Sequence, residues 1–225
     1  MTDKVLDRAM LADGKEMLLI EAGEHVAIRV GKRSLMYSNE HGSEDSLGRI
    51  VADAVAGVTR PRILIGGLGL GFTLRAALDR LPRSAKVDVA ELVPEVARWN
   101  KTICGAYAGH PLKDRRVRLL IEDVGKVIAG STAKYDAIAL DVDNGPDALT
   151  HPGNANLYKR AGLERSRTAL REGGVLAVWS AFPSRTFRKW LEIVGTVKQV
   201  RAEPSSPGGP RYYIWLATRP DGTKA

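Results

Sequence analysis

The chain has 225 residues, 44% of them hydrophobic, and its 34 Lys and Arg against 26 Asp and Glu give a formal charge of +8. That size and composition suit one sizeable domain, or one with a small appendage, around a buried core, and they exclude a disordered chain. No run is long enough to span a bilayer or to serve as a secretory leader, so a soluble, cytoplasmic protein without a membrane partner is expected.

The single cysteine, Cys104, has no disulfide partner and no companion at metal-ligand spacing, so it reads as a small buried hydrophobe. The positive charge invites a nucleic-acid partner. Its densest groups, Arg115, Arg116 and Arg118, then Arg185, Arg188 and Lys189, are not interleaved with stacking aromatics. A solvated basic surface is the reading, and nucleic acid is not expected.

In chain order, residues 15–20 and 25–30 flank Glu21-Ala-Gly-Glu24 and read as a β-hairpin, with residues 34–37 as a third strand. Leu47, Ile50, Val51, Ala54, Val55 and Val58 recur at helical spacing, and Ser43 offers an N-cap. The polar residues before this helix, His41, Ser43, Glu44 and Asp45, suit a capped helix start. They equally suit a segment folded over a ligand pocket, with His41 or Glu44 offered to a substrate.

Arg62-Ile-Leu-Ile-Gly-Gly-Leu-Gly-Leu-Gly-Phe-Thr-Leu74 is the centre of the chain. Ile63 to Ile65 form a continuous apolar run, as in a parallel strand covered on both faces. Gly66, Gly67, Gly69 and Gly71 permit positive φ and close backbone approach, and Leu74, Ala77, Leu78 and Leu81 then follow at helical spacing. Strand, glycine turn and helix start aim backbone N–H groups and a helix dipole at a ligand. Residues 86–92 form the next strand, and Glu91 at its end lies 20 residues past Gly71, where a nucleotide fold places its ribose-binding acid. Pro94 opens the following helix.

Residues 117–124 read as a third strand ending in Glu122 and Asp123, which cap a helix or, for Asp123, meet an adenine amino group. The fourth unit is the most chemically loaded. Ala137 to Leu140 deliver Asp141, Asp143 and Asn144 to the carboxyl edge of the sheet, where open α/β sheets bind ligands. A carboxylate directly after four apolar residues is costly unless partnered or used. A helix over 156–171, strands at 175–180, 197–201 and 212–217, and a helix over 187–194 complete the chain. Five alternating units and a closing hairpin match the class I methyltransferase (Rossmann-like) fold, a seven-stranded doubly wound α/β sheet, here with a small N-terminal β element over 1–40 and a catalytic domain over 41–225.

The glycine loop, Glu91, Asp123, the Tyr135 to Pro146 stretch and the N-terminal hairpin together resemble the spermidine synthase family and the spermidine-synthase-like methyltransferases. The resemblance implies S-adenosylmethionine or its decarboxylated form as cofactor, no metal, and a homodimer. By position it assigns Gly66, Gly67, Gly69 and Gly71 to the methionine part, Glu91 with Leu92 to the ribose, and Asp123 with Val124 to the adenine. Asp141 and Asp143 become the catalytic acids, with His41, Glu44, Asp143 and Asn144 facing a small-molecule acceptor. Two departures bear on the reaction. Gly69 stands where aminopropyltransferases carry an acid that holds the aminopropyl ammonium, and their Asp-Ser/Thr-Ser/Thr-Asp-Pro motif is here Asp141-Val-Asp-Asn-Gly. From these departures methyl transfer with Asp141 as base is the expectation. Aminopropyl transfer is the alternative, and methylation of RNA or protein a further one.

Overall fold

The structure, a computed structural model, describes residues 3–142 and 155–222. Four strands open the chain: β1 (Lys4–Met10), β2 (Glu16–Ala22), β3 (His25–Val30) and β4 (Arg33–Tyr37). They form an antiparallel meander in the order β1-β2-β3-β4. Strand β1 has no counterpart in the sequence reading. Only Ala9 of its seven residues is buried, so it carries the weak apolar signal of an edge strand.

A doubly wound unit follows: α1 (Gly42–Ala54), β5 (Arg62–Gly66), α2 (Phe72–Arg80), β6 (Lys86–Glu91), α3 (Pro94–Thr102), β7 (Val117–Ile121), α4 (Val124–Ala129) and β8 (Tyr135–Leu140). Then come α5 (Ala155–Tyr158), α6 (Arg160–Ala169), β9 (Leu170–Ser180), α7 (Arg185–Leu191), β10 (Thr196–Arg201) and β11 (Tyr213–Thr218). The large sheet runs β10-β11-β9-β8-β5-β6-β7, parallel from β9 to β7 and closed by antiparallel β10 and β11. This is the Rossmann-like class I methyltransferase fold, with a separate four-stranded sheet before it. Strand order reverses between β5 and β8, which makes the carboxyl ends of those two strands the switch point of the sheet.

Alternation along the central strands sorts side chains to two cores. Ile63 and Ile65 of β5, with Ala137 and Ala139 of β8, join Leu47, Val51, Leu74 and Leu78 on one face. Leu64, Ile138 and Leu140 join Ile128, Leu163 and Phe187 on the other. Leu19, Val26 and Ile28 of the small sheet belong to the first cluster, so the two sheets share a core.

Among the boundaries that differ from the sequence reading, two have a local cause. Helix α1 begins at Gly42 with His41 in the N-cap position, and Ser43 lies inside its first turn, donating to Glu44 Oε2 at 2.6 Å. The helix expected to reach Arg171 ends at Ala169, because Leu170 pairs with Tyr135 and the chain re-enters the ladder at Val175 after a bulge at Gly173, φ +72°.

Candidate active site

The glycine turn at the end of β5 is fixed from below. Gly67 has φ +90°, and a Cβ there would lie 2.3 Å from the carbonyl oxygen of Asp141, so only glycine lets the two strand ends meet. The Gly67 N–H donates to Ala90 O at 2.9 Å and the Asp141 N–H to Gly66 O at 2.9 Å, which stitches β5 to both neighbours. Leu68 N–H donates to Glu91 Oε2 at 2.9 Å, Leu70 N–H to Met36 Sδ at 3.1 Å, and Asn100 Nδ2 to Gly69 O at 2.7 Å. The loop thus spends several of the amides that the sequence reading offered to a ligand on holding its own shape.

Glu91 is buried, and its other oxygen accepts from Val93 N at 2.8 Å. Burial raises its pKa, while the backbone donors act against that shift. Each carboxylate oxygen retains acceptor capacity beyond its one backbone bond. Asp123 caps α4, its Oδ1 accepting from Gly125 N at 2.6 Å, and it also faces the cavity. The capping and ligand-facing readings of Asp123 are therefore compatible.

Asp141, just past β8, accepts at Oδ2 from the Thr73 hydroxyl at 2.5 Å. Thr73 lies in the first turn of α2, whose dipole favours an anion there. Burial nonetheless pushes Asp141 up to about 6, against the Thr73 bond. Glu44 is pushed up to about 7, first by burial and then by the charge of Asp141. The two acids are close enough to compete for a proton near neutrality.

These residues line a cavity of about 650 Å³ between the small sheet and the carboxyl edge of the large one. Gly67, Gly69, Glu91, Leu92, Asp123, Val124, Asp141 and Glu44 all reach it. Met36, Leu35 and the Met10–Asp13 turn supply its roof, and Trp179 a wall. Its titratable lining is acidic, with Asp13, Glu44, Glu91, Glu95, Asp123 and Asp141 against Lys15 and Arg33, in a chain whose formal charge is +8.

Three assigned residues sit elsewhere. Gly66 packs under Val124 and Leu140, and Gly71 packs against Asn100 and Pro111 as the N-cap of α2, so both shape the loop without lining the cavity. His41 is held away from the lining, its Nδ1 2.9 Å from Asp45 Oδ2 and its ring stacked on Phe72 at 3.9 Å. Asp143 and Asn144 lie outside the described residues. Among those residues no group of three or more His, Cys, Asp or Glu is placed to hold a metal.

Sequence reasoning missed Thr73, Met36 and Trp179. Thr73 was signalled only by its place two residues into the helix after the last glycine, and Trp179 by an aromatic next to a strand end. Met36 carried no signal, because its role depends on how the small sheet docks.

The spermine/spermidine synthase domain matches residues 53–213. A polyamine aminopropyltransferase of Saccharolobus solfataricus is 31% identical over 166 residues, covering 70% of this chain and 52% of that protein. One from Saccharolobus islandicus is 32% identical over 151 residues, covering 64% and 46%. The chain thus spans about half the length of these curated relatives. The solved structure of spermidine synthase in complex with the transition-state analogue AdoDATO aligns with a TM-score of 0.74 at 14% identity, over 97% of this chain and 73% of that one, a likeness of fold. The expectation of methyl transfer is overturned by these relatives, both named for aminopropyl transfer. It rested on the acid missing at Gly69 and on the altered motif after Asp141, and the cavity carries other carboxylates.

Proposed function

Because this chain belongs to the spermine/spermidine synthase family, we propose that it is an aminopropyltransferase, moving an aminopropyl group from decarboxylated S-adenosylmethionine to an amine of a diamine or polyamine. The observation that carries this reading is the charge of the cavity, acidic within a basic protein and therefore suited to cationic substrates.

The residues present fit such a donor. Gly67 and Gly69 line the cavity, Glu91 has acceptor capacity for ribose hydroxyls, and Asp123 Oδ2 has no partner among the described residues. Decarboxylated S-adenosylmethionine supplies a propyl carbon made electrophilic by its sulfonium. Asp141 takes the proton that the acceptor amine sheds as the C–N bond forms and the C–S bond breaks, the electron pair going to sulfur. The Thr73 hydroxyl keeps that carboxylate oriented. Glu44 supplies a second carboxylate for an ammonium group in place of the acid absent at Gly69. Trp179, whose Nε1 is buried without a partner among the described residues, offers a ring face to the alkyl chain or ammonium of the acceptor. Asp143 and Asn144 remain acceptor-side candidates by position, and a homodimer is carried over from the resemblance.

The test is incubation with decarboxylated S-adenosylmethionine and a panel of linear diamines and polyamines, with mass-spectrometric detection of the extended amine. Asp141→Asn is expected to lower turnover by about 10²–10⁴-fold while leaving affinity for the thioether product nearly unchanged. Absence of transfer to every amine, with methyl transfer from intact S-adenosylmethionine instead, would sink the proposal.

A further inference from the structure

The opposite edge of the large sheet carries a second cavity, of about 510 Å³, whose charge is reversed. All four strands that reach it bring a cation to their amino ends: Arg62 opens β5, Lys86 opens β6, Arg116 precedes β7 and Lys134 precedes β8. Arg83, Arg115 and Arg118 join them, and the single lining carboxylate is Asp88.

Three of the seven cations have structural employment. Arg116 donates to Leu81 O at 2.6 Å and Leu78 O at 2.8 Å, capping the end of α2, and pairs with Asp114 at 2.7 Å. Arg118 makes a two-pronged bond to Asp88 at 2.8 Å for each prong, and Lys134 lies 3.3 Å from the same carboxylate, which also accepts from Tyr135 Oη at 2.8 Å. Asp88 is thus saturated. The side chains of Arg62, Arg83, Lys86 and Arg115 have no ion pair or hydrogen bond among the described residues. Cations gathered around one concavity sum to a local positive potential that attracts an anion into their midst.

We propose that this cavity binds a small molecule bearing two or three linked phosphates. Arginine forks and lysine ammonium groups match phosphate oxygens, and the cavity lies in the size range of small-ligand sites. A nucleic-acid strand is the less suitable occupant, since the one aromatic lining residue, Tyr135, is buried and presents no face for base stacking. The site is separate from the acidic cavity, at the other ends of β5, β6 and β8.

Calorimetry with inorganic tripolyphosphate tests this on the whole chain, comparing wild type with an R83Q/R115Q pair and with an R185Q/R188Q pair on exposed α7 as a charge-matched control. All four positions are exposed, so both variants should keep the wild-type unfolding temperature. The expected result is saturable one-to-one binding that weakens as salt rises, falls at least ~10-fold in R83Q/R115Q and is unchanged in the control. No saturable binding by wild type, or equal loss in both pairs, overturns the site. A single-stranded RNA that binds through the same two arginines and cannot be displaced by tripolyphosphate overturns the small-molecule assignment and makes this a nucleic-acid surface.

Discussion

At the scale of residues, the acid pair sets the pH behaviour. The folded protein holds the Glu44 proton up to about 7, against an ordinary value of 4.5, through burial and the nearby charge of Asp141. Between those values the unfolded chain binds fewer protons than the folded one, so stability falls as pH rises through the window and levels off above it. Glu44→Gln removes that titration. Its unfolding free energy should match wild type near pH 4.5 and exceed it increasingly toward pH 7, by an amount of the order of 1–3 kcal/mol. A gap that is constant with pH would show that Glu44 is not held protonated by the fold. Glu91 tests the donor side. Glu91→Ala should weaken binding of the thioether product by about 1.5–3 kcal/mol, through lost bonds from ribose hydroxyls to a charged acceptor. Because Glu91 also fastens Leu68 and Val93, Glu91→Gln is the control that retains one carbonyl acceptor, and it should fall between the two.

At the scale of elements, the large sheet was legible because each of its parallel strands is a short apolar run followed by a helix period. The loop, Glu91 and Asp141 were legible because a fixed backbone places strand ends at the switch point. What was not legible was tertiary. Strand β1 is an edge with one buried residue, Met36 meets Gly69 only through docking of the small sheet, and His41 is claimed by Asp45 and Phe72. The basic groups around Arg115 read as solvated in sequence, because the cavity forms only when four strand ends converge. Docking of the roof is itself testable. Asp7 on β1 accepts from Arg98 at 2.5 Å and from Trp99 Nε1 at 3.0 Å, tying the small sheet to α3. Trp99 is fully buried, so Asp7→Leu strands its N–H and should cost about 1–3 kcal/mol of stability. If the roof also positions substrate, KM for the acceptor should rise more than kcat falls. A variant as stable as wild type would show that this tie is incidental.

At the scale of the molecule, one sheet separates two opposite fields. Its carboxyl edge gathers acids, and its amino edge gathers cations of a strongly basic chain. Keeping them on opposite ends of the same strands limits mutual neutralisation without giving either cavity a wall of its own. The acidic cavity, however, exists only while the small sheet stays seated, and that seating is hydrophobic. Leu19, fully buried in the small sheet, belongs to the same cluster as Leu47, Leu74 and Trp99. A core shared in this way should unfold as one unit. Leu19→Ala is expected to cost about 2–5 kcal/mol through the void it leaves in that core. Far-ultraviolet circular dichroism, which follows both sheets, and tryptophan fluorescence, which follows four tryptophans including Trp99 and Trp215 in the two clusters, should shift together to lower temperature. Two separated transitions in the wild type, or a Leu19→Ala loss confined to the smaller amplitude, would mean that the small sheet melts independently and that the roof opens without unfolding of the sheet beneath it.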